Sequence, residues 1–271
     1  MNAVSRMKPL RYRTVFISDV HLGFKGCQAD LLLDFLRSVE CRKLYLVGDI
    51  IDCWSLRNGL YWPQAHNNVI RTILGKAKHD TDVIYVPGNH DELFRDHIGL
   101  VFGNVTIRRR DLHTTADGRR MLVLHGDEFD GVVKISPLLA RAGARAYGFL
   151  LSANHLVNAL RRSLGFGYWS LAAFLKHRVK NAVQYIGGFE HAVAHAARKE
   201  GVDGLVCGHI HRPEIRDVDG VLYCNDGDWV ESCSALVEHF DGRLELLHWA
   251  EHRAATQAHG QEAMPATGSA A

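Results

Sequence analysis

The sequence predicts an α/β fold whose functional residues gather at the carboxyl ends of its strands. Three observations predict it. Short apolar runs rich in Val, Ile and Tyr read as buried strands. Stretches with helical spacing lie between them as crossovers. Five polar blocks each directly follow an apolar run, and the crevice outside the strand ends is where open α/β sheets place ligands and chemistry.

Thr14 to Ser18 is the first strand, followed by Asp19-Val20-His21. Leu31, Leu32, Phe35, Leu36 and Val39 form one face of an amphipathic helix after it. Lys43 to Val47 leads into Gly48-Asp49, and Pro63 precedes a second helix through Ile70, Ile73 and Leu74. Asp82 to Val86 leads into Gly88-Asn89-His90-Asp91, Met121 to Leu124 into His125-Gly126-Asp127, and Gly204 to Cys207 into Gly208-His209-Ile210-His211. Ser234 to Phe240 and Leu244 to Trp249 flank Asp241-Gly242, a hairpin signal. This places one domain over 1–250, and the aperiodic Ala, Gly, Gln and Thr-rich stretch 251–271 reads as a disordered tail.

The blocks supply carboxylate, amide and imidazole groups and no thiolate, a mixed N/O set that suits Mn, Fe or Zn. A carboxylate can bridge, so Asp49, on a central strand, is the natural ligand shared by two ions about 3.5 to 4 Å apart. The remaining residues divide into Asp19, His21 and His211 for one ion, and Asn89, His125 and His209 for the other. The two-residue spacing of His209 and His211 on an extended segment would point both rings the same way. Gly48, Gly88 and Gly208 fit sharp turns out of the strands. Two such ions can generate a nucleophile at neutral pH and clamp the attacking and leaving oxygens of a phosphoryl group. His90 stays off the metal in this scheme and can steady phosphoryl oxygens or protonate the departing one. Asp91 either orients the His90 ring or only caps the turn into Glu92 and Leu93.

Singly, each block has a plainer reading: a core histidine, a turn residue or a helix cap. Five in order, each at a strand end, favour the joint one. In that order, D-x-H, G-D, G-N-H-[DE], H and G-H-x-H, they resemble the calcineurin-like metallophosphoesterase superfamily over Thr14 to about Trp249. The resemblance implies a four-layer α/β/β/α metallophosphoesterase sandwich with a helical insert and a dinuclear centre often holding manganese. It implies metal ligation by Asp19, His21, Asp49, Asn89, His125, His209 and His211, with His90 the catalytic imidazole. The run Val47 to Trp54, the His125 to Glu128 block and the stretch Asn225 to Ser232 look like UDP-2,3-diacylglucosamine diphosphatases, which cleave a lipid-linked nucleotide diphosphate at the inner membrane. The lipid A branch has G-N-R-D where this chain has Gly88-Asn89-His90-Asp91. The alternative is a soluble phosphodiesterase or phosphatase acting on nucleotides or nucleic acid.

Between His125 and His209 lies an insert, about 131–200, that the metal chemistry does not need. From Gly131 to Phe189 it holds no Asp or Glu but carries Lys134, Arg141, Arg145, Arg161, Arg162, Lys176, Arg178 and Lys180. Leu171, Leu175, Val179, Ala182, Val183 and Ile186 recur at helical spacing. Phe149, Leu150, Leu151, Phe166, Tyr168, Trp169 and Phe174 add apolar surface. The insert is open to three uses: a solvated structural elaboration, a cap on an anionic lipid substrate or membrane surface, or a nucleic-acid contact, ranked lower because aliphatics outnumber stacking groups.

At 271 residues and a net charge of +2, the chain suits one large domain, with the basic insert hidden in the average. Cys27, Cys41, Cys53, Cys207, Cys224 and Cys233 show no paired spacing and read as reduced, favouring the cytoplasm. Met1 to Arg13 lacks a signal-peptide core, and no run approaches the roughly 20 residues of a membrane span. Membrane contact is therefore expected to be peripheral, on the cytoplasmic face of the inner membrane.

Overall fold

The computed structural model describes residues 9–131 and 180–262. The first half runs β1 (Leu10–Ile17), α1 (Ala29–Ser38), β2 (Val39–Val47), α2 (Cys53–Asn58), α3 (Gln64–Lys78), β3 (Asp82–Val86), β4 (Val101–Phe102), β5 (Val105–Ile107), β6 (Asp111–Thr114) and β7 (Arg120–Val123). The second runs α4 (Lys180–Lys199), β8 (Gly204–Cys207), β9 (Glu214–Val218), β10 (Val221–Asn225), β11 (Ser234–Glu238), β12 (Leu244–His248) and α5 (Trp249–Glu262). Short 3₁₀ turns at Glu92–His97 and Asp127–Phe129 follow two of the polar blocks.

The strands form two sheets, β12-β11-β1-β2-β3-β5-β4 and β6-β7-β8-β10-β9. β1, β2 and β3 are parallel, as are β7 and β8. The period-two alternation of strand side chains sorts the apolar runs into three cores. Val15, Ile17, Leu44, Leu46 and Val83 pack outward against Leu32, Phe35 and Leu36 of α1 and Val69 and Ile73 of α3. Their neighbours Phe16, Tyr45, Val47, Ile84 and Val86 face inward and meet Met121, Val123, Val206 and Cys224 of the second sheet. Leu122, Leu205 and Cys207 face the far side, against Phe189, Val193 and Ala197 of α4. The result is the four-layer α/β/β/α sandwich, and it explains why the strands read as continuous apolar runs: both faces are covered.

Two expectations changed. The tail from Glu251 does not begin as disordered chain: α5 occupies Trp249–Glu262. Its Ala-rich composition favours helix, and Trp249 anchors its start, buried in the first core with its indole Nε1 donating to Asp34 Oδ2 at 2.9 Å. Three of the five strands of the second sheet, β6, β9 and β10, were also not read from the sequence; β6 and β9 interleave charged residues. One signal was there to be used. Asp219-Gly220, both with positive φ (54° and 81°), makes a two-residue turn joining β9 to β10 in the register Val218↔Val221, the type I′ geometry that Asp-Gly favours. At Asp241-Gly242 the expected hairpin forms through a longer loop closed by His239 N–H to Arg243 O at 2.8 Å. The insert's basic and aromatic residues from Lys134 to Val179 lie outside the described residues, and of its helix only α4 is described.

Candidate metal centre

The parallel strands deliver Asp19, Asp49, Asn89, His125 and the His209-Ile210-His211 turn to one edge. Backbone bonds tie these turns together: Asp19 N–H to Gly48 O at 3.0 Å, His21 N–H to Asp49 O at 2.8 Å, and Gly208 N–H to His125 O at 3.2 Å. Asp19, His21, Asp49, His209 and His211 all adopt left-handed backbone, with φ of 48°, 55°, 52°, 68° and 52°. That conformation is uncommon outside glycine, and it clusters where surrounding structure imposes it for function. The glycines serve space as much as backbone freedom. Only Gly48 among the three has positive φ, at 84°. A Cβ at Gly88 would lie 2.2 Å from Asp49 Oδ1, and one at Gly208 would lie 2.4 Å from Asp19 Oδ2.

Three overlapping groups converge: Asp19, His21 and His211; His21, Asp49 and His90; and Asp19, Asp49 and His125. Asp49 Oδ2 stands 3.5 Å from His125 Nε2 and 4.0 Å from both His21 Nε2 and His90 Nε2. These gaps are too long for hydrogen bonds. They approach the roughly 3 to 3.4 Å between ligand atoms that share an ion at about 2.1 Å. Asp19 Oδ1 and His21 Nε2 are buried without a hydrogen-bond partner among the described residues, although His211 Nε2 is 3.1 Å from the former. Buried polar atoms are normally paired, and a cation between them satisfies both, so the residues fit divalent metal. Asn89 Oδ1 joins the third group at 3.3 Å from His125 Nε2.

The rings are held from behind. His125 Nδ1 lies 2.9 Å from Val47 O, which leaves Nε2 to face the site. Asp52 Oδ2 and Oδ1 lie 3.3 Å from His21 Nδ1 and 3.1 Å from His90 Nδ1. Trp54 lies against the His90 ring, centroids 4.1 Å apart. Burial disfavours charge on His21, but the bond to Asp52 and the charges of Asp49 and Asp19 outweigh it and raise its pKa to about 9. Burial likewise opposes ionisation of Asp49, yet the His125 charge beside it holds the carboxyl far below the usual range. A potential that retains protons on buried imidazoles also favours a divalent cation.

Three sequence expectations need correction. Asp91 does not orient His90. Its carboxylate is fully buried, with Oδ1 accepting from Gly88 N at 2.6 Å and Oδ2 from Ile50 N at 2.7 Å and from the Tyr85 hydroxyl. It clamps the Asp49 turn to the Asn89-His90 turn, and the carboxylate nearest the His90 ring is that of Asp52, at ion-pair distance and without a hydrogen bond. Asp52 was legible only as the cap of α2, accepting from Ser55 N at 2.7 Å. The His209-Ile210-His211 segment is a left-handed turn, not an extended strand, so its rings diverge around buried Ile210. His211 goes to Asp19, while His209 Nε2 meets Asp130 Oδ1 at 2.7 Å, with its ring 5.2 Å from that of His125. The role given to Gly88 and Gly208 is also different, as described: the site needs their missing side chains. Asn225 further supports the His209 turn through Nδ2 to Gly208 O at 2.7 Å, and Arg95 joins Asp127 at 2.7 and 2.8 Å.

The clamp makes a prediction. Asp91→Ala leaves the Ile50 and Gly88 amides and the Tyr85 hydroxyl buried without acceptors, at about 1–3 kcal/mol each. The melting temperature should fall by roughly 5–15 °C, measured by circular dichroism, and an unchanged melt would show that the clamp contributes nothing.

The family model described as calcineurin-like phosphoesterase matches residues 12–213. The chain belongs to that family. A calcineurin-like phosphoesterase is a metal-dependent hydrolase, which agrees with the clustered Asp and His residues. Among relatives, a UDP-2,3-diacylglucosamine hydrolase of Xanthomonas campestris pv. campestris is 30% identical over 254 residues, spanning 86% of this chain and 98% of the relative. One of Xanthomonas oryzae pv. oryzae is 28% identical over 250 residues, spanning 84% and 96%. Among solved structures, the phosphoesterase Yfce from E. coli aligns at 15% identity and a TM-score of 0.42, covering 87% of this chain and 98% of that one.

Proposed function

We propose that this phosphoesterase hydrolyses the pyrophosphate of a UDP-2,3-diacylglucosamine-type substrate at a two-metal centre, releasing UMP and a lipid sugar phosphate. The observation that carries the lipid part is the distribution of exposed apolar side chains. Of ten large ones among the described residues, eight fall in segments 54–61 and 93–102, which flank His90 on either side in the chain. Trp54 is the member shown at the site, its ring centroid 4.1 Å from that of His90, and exposed apolar side chains on the segments that carry such a site suit a substrate with acyl chains. The names of the relatives support the same substrate.

In this reading Asp19, His21 and His211 hold one ion, Asn89, His125 and His209 the other, and Asp49 is shared. His209 would complete the second set, and Asp130, 2.7 Å from its Nε2, would be its outer partner. Manganese is the proposed metal, with iron or zinc compatible with the donor set. When bound, the pair supplies a nucleophile at neutral pH and neutralises charge on the phosphoryl oxygens. His90, held by Asp52 and Trp54, presents Nε2 to the departing oxygen and delivers a proton to it. Among the described residues no helix is long and apolar enough to cross a membrane. A peripheral seat on the cytoplasmic face of an inner membrane belongs to the same proposal, since the acyl chains of the substrate lie in a bilayer.

A second reading, a soluble phosphodiesterase or phosphatase acting on nucleotides or nucleic acid, is favoured by one residue: His90 stands where the lipid A branch has arginine. One assay separates the two. The full chain with Mn²⁺ is given UDP-2,3-diacylglucosamine in detergent beside an aryl phosphodiester, and product masses are determined. Strong preference for the lipid, with UMP released, is expected; cleavage of the aryl ester alone would overturn the lipid reading and leave the phosphoesterase.

A further inference from the structure

Behind Asp19 lies a buried pair that the proposed chemistry does not use. Ser18 Oγ is 2.7 Å from Asp19 Oδ2, 2.5 Å from Asp226 Oδ1 and 3.1 Å from Gly227 O. Ser18, Asp19 and Asp226 are all fully buried. A serine hydroxyl carries one hydrogen, yet two carboxyl oxygens lie within hydrogen-bond distance of it. If both acids were ionised, one carboxylate would face the Ser18 oxygen with no proton between them. No ion pair involves Asp226 among the described residues, its Oδ2 has no hydrogen-bond partner there, and of the charges that act on it Asp19 opposes ionisation while His125 favours it without outweighing burial. An ion so placed is far more costly than a neutral acid with one unpaired carbonyl oxygen.

We propose that Asp226 is a positioning residue carried as the neutral acid: it donates its proton to Ser18 Oγ, which donates its own to Asp19 Oδ2. The hydrogen count then closes, with one proton in each short contact. Burial, which pushes the Asp226 carboxyl well above the ordinary range, acts in the same direction. An apolar site can hold a carboxylic acid neutral at physiological pH so that it serves as a donor. The chain has a consequence at the metal centre. Asp19 Oδ2 receives both Ser18 Oγ–H and His209 N–H, the latter at 2.8 Å, so its other oxygen, Oδ1, is left directed at His21 and His211. Partners of this kind, one step removed from a metal, typically change affinity about 10- to 100-fold when lost. The positioning part rests on Asp19 being a ligand; the protonation of Asp226 does not.

The test uses the full chain, stripped of metal, as wild type and as Asp226→Asn, Asp226→Ala and Ser18→Ala, each checked for a cooperative melt. Infrared difference spectra between wild type and Asp226→Asn at neutral pH should show the C=O stretch of a protonated carboxylic acid. Mn²⁺ titration by calorimetry should give Asp226→Asn an affinity close to wild type, because its amide can still donate to Ser18. Ser18→Ala and Asp226→Ala should bind about 10- to 100-fold more weakly. Absence of the carboxylic band, or an Asp226→Asn affinity as poor as that of Ser18→Ala, would overturn the neutral donor. A band with unchanged affinity in Ser18→Ala would overturn the positioning role. Wild type that binds no Mn²⁺ would overturn the two-metal reading and the positioning role together, while the band still decides the proton.

Discussion

Asp49→Ala is expected to abolish manganese-dependent hydrolysis and to lower the manganese content of the purified protein. Its Oδ1 accepts from His90 N at 2.8 Å, and its Oδ2 is the atom faced by His21, His90 and His125. Removing it withdraws the one carboxylate common to both proposed ligand groups and leaves Asp19 and Asp52 to balance the surrounding imidazoles. Asp49→Asn is the sharper variant, since it can still accept from His90 N while losing the charge. It too should be inactive. In metal-free protein His21 titrates at about 9; burial lowers that value, and the Asp52 bond and the Asp49 charge raise it. Without the Asp49 charge the value must fall, readable by histidine NMR. Elemental analysis and turnover decide the main point: a variant with most of its metal and activity would remove Asp49 from the centre.

The second large effect is at His90. His90→Ala should leave manganese content unchanged and lower turnover by about 10²- to 10⁴-fold, the usual size of a lost proton-transfer group. The geometry alone also admits a different role, because His90 joins His21 and Asp49 in one converging group. Metal content separates the two: loss of metal in step with activity would make His90 a ligand. Asp52→Asn should give a smaller fall in turnover, because it weakens the hold on the His90 ring at 3.1 Å and leaves the ring in place. That order of effects, His90 larger than Asp52 with metal retained in His90→Ala, is what an oriented acid requires.

The five polar blocks were legible because each combines ligand-type residues with an apolar strand just before it, a local signal. The strands themselves were legible where both faces are buried, as at Asp82–Val86 and Gly204–Cys207, both read to their ends. β6 and β9 were not, since each shows water or charge on part of its length, and β10 was missed although four of its five residues are buried. Asp52 illustrates a further limit. It sits three residues after Asp49, where a capping aspartate is ordinary, and nothing local says that it also meets two imidazoles. Asp91 shows the converse: adjacency to His90 suggested a partnership, yet the chain turns its carboxylate inward to the Ile50 and Gly88 amides.

By itself the sequence determined the α/β class, the edge on which chemistry gathers and the residue types offered there, because strand periodicity and strand-end placement are properties of short segments; the sandwich was implied by the family resemblance. Only the tertiary structure decided which carboxylate faces which ring, that His209 and His211 diverge, that Gly88 and Gly208 make room for Asp49 and Asp19, and that Ser18 and Asp226 stand behind the site. Those relations join residues up to about two hundred positions apart, as Ser18 and Asp226 are. A hydrogen bond depends on distances of a few tenths of an ångström, set by how the layers pack and not by what any one segment prefers.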